Sequence, residues 1–302
     1  MRLACVVPAT DRPATLERCL AAIEAAGPDE LVVVTEPEGA GPAEARNLGV
    51  ERCSAELIAF VDSDVVVHPQ ALSMMRDAFA AEPGLAAVFG GYDDRPSEED
   101  PVSVFRNLLH HSVHLEGAGE AETFWAGLGA VRREAFEQAG GFDSDRFPWP
   151  SIEDIELGMR MRAQGRRILL DPTIQGTHLK RWTPAGMVHT DFARRGVPWA
   201  RLVLESRGRG RALNLSARHG AGSLLSLLAA IAALRRRPWQ ALAALAALAA
   251  LNRRLYGLII ARSGPGGALA GVLLHAVHHL TGIAAGLTAL LKGRARGPGA
   301  PG

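Results

Sequence analysis

Cysteine is scarce in this 302-residue chain. Its three cysteines, Cys5, Cys19 and Cys53, are an odd number and contain no CxxC pair. That excludes a disulfide framework and metal spacing. It fits a reducing compartment, with small thiols filling a core. Charge of one sign is lacking too. The formal net charge is +1, which gives no electrostatic signal for a nucleic-acid partner, and none is expected. The apolar run in the N-terminal MRLACVVPAT is too short for a signal peptide, so the first domain is expected in the cytosol. Acid is absent between residues 222 and 291, whereas acids concentrate before residue 160 and arginines after it.

What is present suffices for a well-filled core, with 48 % hydrophobic and 22 % charged residues. RLACVVP reads as a buried strand, being a compact apolar run with β-branched content. In DRPATLERCLAAIEAAG, Leu16, Cys19, Leu20 and Ile23 recur at helical spacing, with Pro13 in the first turn and Gly27 at the stop. LVVV at 31–34 is a second strand, GPAEARNLGVERC a short helix, and LIAFVD a third strand. This order predicts an α/β fold with a mostly parallel sheet and right-handed crossovers. Ligands of such sheets bind beyond the carboxyl ends of the strands. Thr10 and Asp11, Glu36, and Asp62 and Asp64 all fall at that edge. Further on, residues 69–84 read as a helix, LAAVFGGY as a strand and DDRPSEEDP as a polar loop. FWAGLGAVRREAFEQAGGFD joins a glycine-punctuated stretch to a helix. SIEDIELGMRMRAQG is a further helix with Ile152, Ile155 and Met159 on one face, and RRILLDP a late strand.

After about residue 205 the character changes. GRGRALNLSARHG is basic, and two apolar runs, SLLSLLAAIAAL and WQALAALAALAAL, flank RRRP. Residues 267–291 form a third run long enough to cross a bilayer. The first run reaches spanning length only by taking in Arg218 and Gly220, the second only by passing Arg253 and Arg254. Membrane association is expected, as spanning helices, a tight hairpin or interfacial helices. The competing reading is an Ala-rich soluble bundle. A hairpin entered from the cytosol would place RRRP outside, against the positive-inside tendency. His275, His278 and His279 in the third run are candidates to meet a lipid phosphate. His110, His111 and His114 read as a plain helix face.

Asp62 and Asp64 are one residue apart where an apolar strand ends. Two such carboxylates repel unless a cation neutralises them. Mg²⁺ and Mn²⁺ prefer oxygen ligands and are often shared with substrate phosphates. The alternative is a loop of solvated acids, or a cap for the following helix. Two neighbouring ligand loops at the same sheet edge favour a metal–diphosphate site.

VVPATDRP, ARNLG, FVDSD, GLGAVRREAFEQAGGFD and EDIELGMRMRAQGRRI occur in this order over roughly residues 2–182. Together they resemble the GT-A-fold inverting glycosyltransferases of family 2. The resemblance implies a GT-A Rossmann-like sheet flanked by helices, a nucleotide-diphosphate sugar donor, a divalent metal (Mn²⁺ or Mg²⁺) and inversion by direct displacement. It places Pro8, Ala9, Thr10 and Asp11 on the first nucleotide-contacting loop. Glu36 stands near a base or ribose position, although TEPEG replaces the family's double-aspartate turn there. Arg46 and Asn47 would lie under the nucleotide, Asp62 with Ser63 beside the ribose, and Asp64 on the metal. Gly127 and Gly129 match an acceptor-side turn that admits a sugar or lipid head.

The Glu153–Asp154 pair matches the catalytic acid motif, with Asp154 as the base that takes the acceptor's proton. Ser151-x-x-Asp154 also reads as a capping box, and a helix N-terminus lowers a carboxylate's pKa; the two roles can coexist. Glu156 and Arg160 suit an i,i+4 pair. His178 is a candidate metal ligand, and Arg181 and Trp182 would hold the diphosphate or the acceptor. The glutamine that precedes them in processive synthases is missing, which argues against processivity.

The domain plan is therefore 1–205 catalytic, 206–222 a basic linker or interfacial segment, 223–291 hydrophobic membrane-associated helices, and 292–302 a disordered tail. The expected acceptor is a lipid or lipid-linked glycan. The expected location is the plasma (inner) membrane with the catalytic domain on its cytoplasmic side. A sugar-phosphate nucleotidyltransferase would carry a Gly-rich basic loop after the first strand, and PATDRPA lacks the glycines. A non-catalytic membrane scaffold would leave the matched acids without a purpose.

Overall fold

The computed structural model describes residues 1–206 and 216–295. Residues 207–215 of the expected linker and 296–302 of the expected tail lie outside the described residues. Two compact units are present. The first comprises Met1–Ser97 and His110–Lys180; the second comprises Glu98–Leu109 and the described residues from Arg181 onward.

In chain order the first unit contains β1 (Leu3–Pro8), α1 (Leu16–Ala25), β2 (Glu30–Val34), α2 (Pro42–Glu51), β3 (Leu57–Val61), β4 (Val65–Val67), α3 (Ala71–Ala81) and β5 (Leu85–Tyr92). Helix α4 (Pro101–Glu116) divides between the units. The first unit then continues with β6 (Gly119–Glu120), β7 (Leu128–Arg132), α5 (Arg133–Gln138), α6 (Glu153–Ala163) and β8 (Arg167–His178). The strands form one mixed sheet in the order β2-β1-β3-β7-β5-β8-β4, with β6 added to β8. The expected α/β start is present, since β1 runs parallel to both β2 and β3. Strand β7 then inserts antiparallel between β3 and β5, and β8 returns parallel to β5.

Three expectations change here. LGAVR, which in sequence reads as a glycine-punctuated approach to a helix, is the central strand β7. Its glycine and alanine give little β signal, and pairing on both sides supplies what propensity does not. The late strand is longer than RRILLDP and carries His178 as its last residue. Helix α6 buries Leu157, Gly158 and Met161, whereas Ile155 and Met159 are only partly covered. One edge of the sheet's core is aromatic: Phe60 meets Phe142 at 5.2 Å and Phe136 at 5.8 Å between ring centroids. Cys5 and Cys19 are fully buried core thiols, and burial pushes Cys19 up to about 12, which leaves it unreactive.

The second unit contains α7 (Pro184–His189), a π-helical stretch Thr190–Gly196, α8 (Val197–Glu205), α9 (Ala217–Leu234), α10 (Pro238–Leu251) and α11 (Arg253–Ala295). Helix α11 breaks at Gly264, where φ is 66°, just before Pro265. Phe105, Leu108, Trp182, Met187, Leu255, Tyr256 and Ile259 form its apolar centre. The histidines of the third apolar run point into helix contacts. His278 Nδ1 lies 2.7 Å from Asp191, His275 Nδ1 2.9 Å from the Tyr256 hydroxyl, and His279 Nδ1 3.1 Å from Ser223 Oγ. Those contacts replace the lipid-phosphate role considered for them.

Candidate active site

The two aspartates opening the site are held by their backbone before their side chains act. After β3 the chain turns over residues 62–64, closed by Val65 N–H donating to the Asp62 carbonyl at 3.0 Å. Thr15 Oγ1 donates to the Ser63 carbonyl at 2.9 Å, and Leu179 N–H donates to the Asp64 carbonyl at 2.8 Å. Loops after β1, β3 and β8 thus fix one turn.

The carboxylates point to different partners. Asp62 accepts from Arg46 Nη2 at 2.7 Å. Asp64 faces His178 Nε2 at 3.4 Å, and the His178 ring stacks on Tyr92 at 4.1 Å. This separation answers the repulsion that the sequence poses. Burial raises the Asp62 carboxyl while Arg46 pulls it down. At Asp64 burial also raises the pKa, but His178 and Lys180 outweigh it and the carboxyl lies below its usual value.

Arg46, on α2, is the joint of the site. Its side chain is 4 % exposed, and its second nitrogen, Nη1, donates to Glu153 Oε1 at 2.8 Å. It therefore links the strand-end aspartate to the start of α6, 107 residues away in sequence. Glu153 is 6 % exposed, and its other oxygen accepts from Ser151 N–H at 2.9 Å. It is a fixed counter-charge for Arg46, with neither oxygen open to an acceptor, which corrects its expected catalytic place.

Asp154 differs from its neighbour. Ala126 N–H donates to its Oδ2 at 3.1 Å and Ile155 N–H to its Oδ1 at 2.8 Å, and the side chain remains partly exposed. The expected capping box does not form: α6 is capped at Ile152 without a side-chain hydrogen bond. The expected drop in pKa is reversed. Burial first, and the Glu153 charge second, push Asp154 up to about 6, against Arg46 and the two N–H donors. A carboxylate in that range ionises near neutral pH and retains basicity, as a general base requires.

Residues 12–140 match the profile described as Glycosyl transferase family 2. Those residues are a family 2 glycosyltransferase domain. A pre-mycofactocin glycosyltransferase of Mycobacterium tuberculosis is 28 % identical over 231 residues, covering 68 % of this chain and 47 % of its own length. A validoxylamine A glucosyltransferase of Streptomyces hygroscopicus is 25 % identical over 220 residues, 54 % of this chain and 48 % of its own. The chain thus spans about half the length of these curated relatives. A mannosyltransferase from Pyrobaculum calidifontis, solved with GDP-Man and Mn²⁺, superposes with a TM-score of 0.57 at 19 % identity, covering 96 % of this chain and 87 % of that one. That likeness establishes the GT-A fold.

The other candidates separate into loop clamps and open groups. Pro8 ends β1, and buried Ala9 donates its N–H to Val34 at 2.8 Å. Thr10 Oγ1 donates to the Ala40 carbonyl at 2.7 Å. Asp11 is exposed, as is Glu36, which faces Arg12 at 3.8 Å. Asn47 spends both amide atoms on the Phe142 backbone, donating at 2.8 Å and accepting at 3.0 Å. It fastens a loop through both atoms of its amide.

At Gly127 and Gly129 the space that a side chain would take is filled by the protein itself. A Cβ at Gly127 would strike the Trp125 ring, and one at Gly129 would meet the Trp125 carbonyl and the Phe124 ring. Their missing side chains admit the protein's own aromatics. Arg181 and Trp182 belong to the second unit, where Trp182 is 8 % exposed in the apolar centre with Arg106 4.9 Å above its ring.

Glu156 and Arg160 pair as expected at 2.8 Å, and Arg160 also donates to the Gly141 carbonyl at 2.7 Å. His111 and His114 on α4 bond the backbone of β5 at 2.8 and 2.7 Å. Among the described residues, no group of three His, Cys, Asp or Glu side chains is placed to hold a metal. The Arg46 bridge and the Tyr92–His178 stack were missed by sequence reasoning. ARNLG located Arg46 but could not name its partners.

Proposed function

We propose that the chain is a metal-assisted inverting glycosyltransferase. In this reading an acceptor hydroxyl attacks the anomeric carbon of a nucleotide-diphosphate sugar, its proton passes to Asp154, and the bond to the diphosphate breaks on the opposite face. The observation that carries this reading is Asp154 itself, partly exposed, oriented by two backbone N–H groups and raised to about 6. Arg46 and Glu153 hold the mount beneath it.

The pair Asp64 and His178 fits a hard divalent ion, because one carboxylate and one imidazole leave positions for diphosphate oxygens. Bound there, Mn²⁺ or Mg²⁺ would neutralise charge on the leaving diphosphate. Thr10, Asp11, Glu36, Asp62 and Ser63 are the proposed donor-side contacts, with the backbone of Pro8 and Ala9.

The acceptor in this reading is a lipid or lipid-linked glycan, and the chain resides on the cytoplasmic side of the plasma membrane. Two helices support the membrane part of this reading by length and composition: Ala217–Leu234, with mean hydropathy 1.3, and Arg253–Lys292, with 1.4. The test is donor hydrolysis and calorimetry over a panel of nucleotide sugars with and without Mn²⁺. GDP-Man comes first, since the P. calidifontis neighbour was solved with it. Asp64→Asn is expected to abolish the Mn²⁺-dependent part of donor affinity. Undiminished metal-dependent binding in that variant would overturn the assignment.

A further inference from the structure

Helices α9 and α10 are bounded by cationic groups at three levels. Arg218 opens the first, Arg235–Arg237 form the turn, and Arg253 and Arg254 follow the second. The uncharged stretches between them are 219–234 and 238–252. At 1.5 Å per residue these reach about 24 and about 22 Å. A hydrocarbon core is about 30 Å thick, so each uncharged arm falls short of it and could cross only with the arginines at both of its ends snorkelling outward.

The faces of α9 agree. Leu224, Leu228, Ile231 and Leu234 recur at helical spacing and are exposed, whereas Gly222, Ser226, Ala229 and Ala232 are buried on the opposite side. Helix α9 therefore offers one apolar stripe to its surroundings and keeps its small residues for protein contact. The turn is exposed: residues 235–237 lie open beside Leu234 at 84 % and Trp239 at 81 %. Tryptophan next to arginines suits the headgroup level, and an arginine triplet complements an anionic leaflet.

We propose that the α9–α10 hairpin docks on a single leaflet of an anionic membrane, with the Arg235–Arg237 turn returning to the headgroups on the side from which α9 departs. The inference rests on the membrane reading above and replaces the crossing hairpin with one that stays on its own side. Positive charge then never has to be carried across the bilayer.

The test uses the full chain with Cys53→Ser, since Cys5 and Cys19 are buried. Single cysteines are placed by Arg235→Cys in the turn and Glu205→Cys before α9, both at exposed positions. A membrane-impermeant maleimide is applied to sealed vesicles of known sidedness, before and after detergent. Both cysteines are expected to react from the same side. Reaction from opposite sides, or a turn cysteine silent until detergent while Glu205→Cys reacts, overturns the proposal.

In a second arm, Arg235, Arg236 and Arg237 are all changed to Gln and the chain is floated with neutral or phosphatidylserine-containing vesicles. Binding to the anionic vesicles is expected to weaken by on the order of 100-fold, with neutral vesicles unaffected. Unchanged binding to anionic vesicles also overturns it. If the unmodified chain floats with neither vesicle, the membrane reading fails first and the hairpin proposal falls with it.

Discussion

Each unit buries an arginine against a carboxylate, and the two pairs serve different ends. In the first unit Arg46 holds two acids, Asp62 and Glu153, and its buried Nε has no hydrogen-bond partner among the described residues. One of those acids, Asp62, stays 32 % exposed at the sheet edge. In the second unit Arg106 holds Asp191 at 2.9 Å, His278 takes the same carboxylate at 2.7 Å, and all three side chains are largely covered. Burial raises Asp191, but His278 and Arg106 outweigh it and keep the carboxyl below its usual range. A closed pair with a matched count of charge fixes helices. An arginine facing two acids leaves excess negative charge next to Asp154, and that excess is part of what makes Asp154 basic. The lesson is that charge balance and access, rather than burial, distinguish a site from a strut.

The sharpest way to break the comparison is Asp154→Asn. If the excess charge serves catalysis, turnover should fall by about 10²–10⁴ with donor affinity nearly unchanged. A variant that turns over normally would reduce the first unit's acids to struts as well. Next in size come Arg46→Met and Arg106→Met. Each strands buried carboxylate, so each should lose about 3–5 kcal/mol in a denaturant melt. Only Arg46→Met should also weaken donor binding measured by calorimetry, since only its partners line the candidate site.

The pH dependence sharpens the same contrast with a sign. If Asp154 is the base, it acts only when ionised, so kcat/KM should decline as pH falls below about 6. Its contribution to stability runs the other way. The folded carboxyl holds its proton above the usual 3.8, so this group costs stability as pH rises from 3.8 to about 6 and is level beyond. Asp191, depressed in the fold, instead loses stabilisation as pH falls through its own range. Melts of Asp154→Asn and Asp191→Asn against pH should therefore depart from the parent chain in opposite directions.

The smallest effects probe packing alone. Gly158 on α6 lies against the backbone of Thr123 and Phe124, so Gly158→Ala should cost about 1–3 kcal/mol by thermal melt. Thr183 caps α7 by accepting from Gly186 N–H at 3.0 Å, and Thr183→Ala should cost about 1 kcal/mol.

Local pattern determined much of this protein. The alternation of β1, α1, β2, α2 and β3 was legible because short valine-rich runs and one amphipathic face are local signals. So was the edge at which Thr10, Glu36, Asp62 and Asp64 gather, because a parallel start fixes where strands end. The five ordered motifs resembling family 2 located Asp154 before any contact was known. The tertiary structure decided the rest, because each remaining question concerned partners far apart in sequence. Only pairing on both sides makes LGAVR a strand. Only the approach of α2 to α6 shows that Arg46 occupies Glu153 and leaves Asp154 to two backbone N–H donors. Only packing shows that Gly127 and Gly129 make way for Trp125 and Phe124. Periodicity reports which face of an element is apolar; which group meets that face, and whether water reaches it, follows from the three-dimensional arrangement alone.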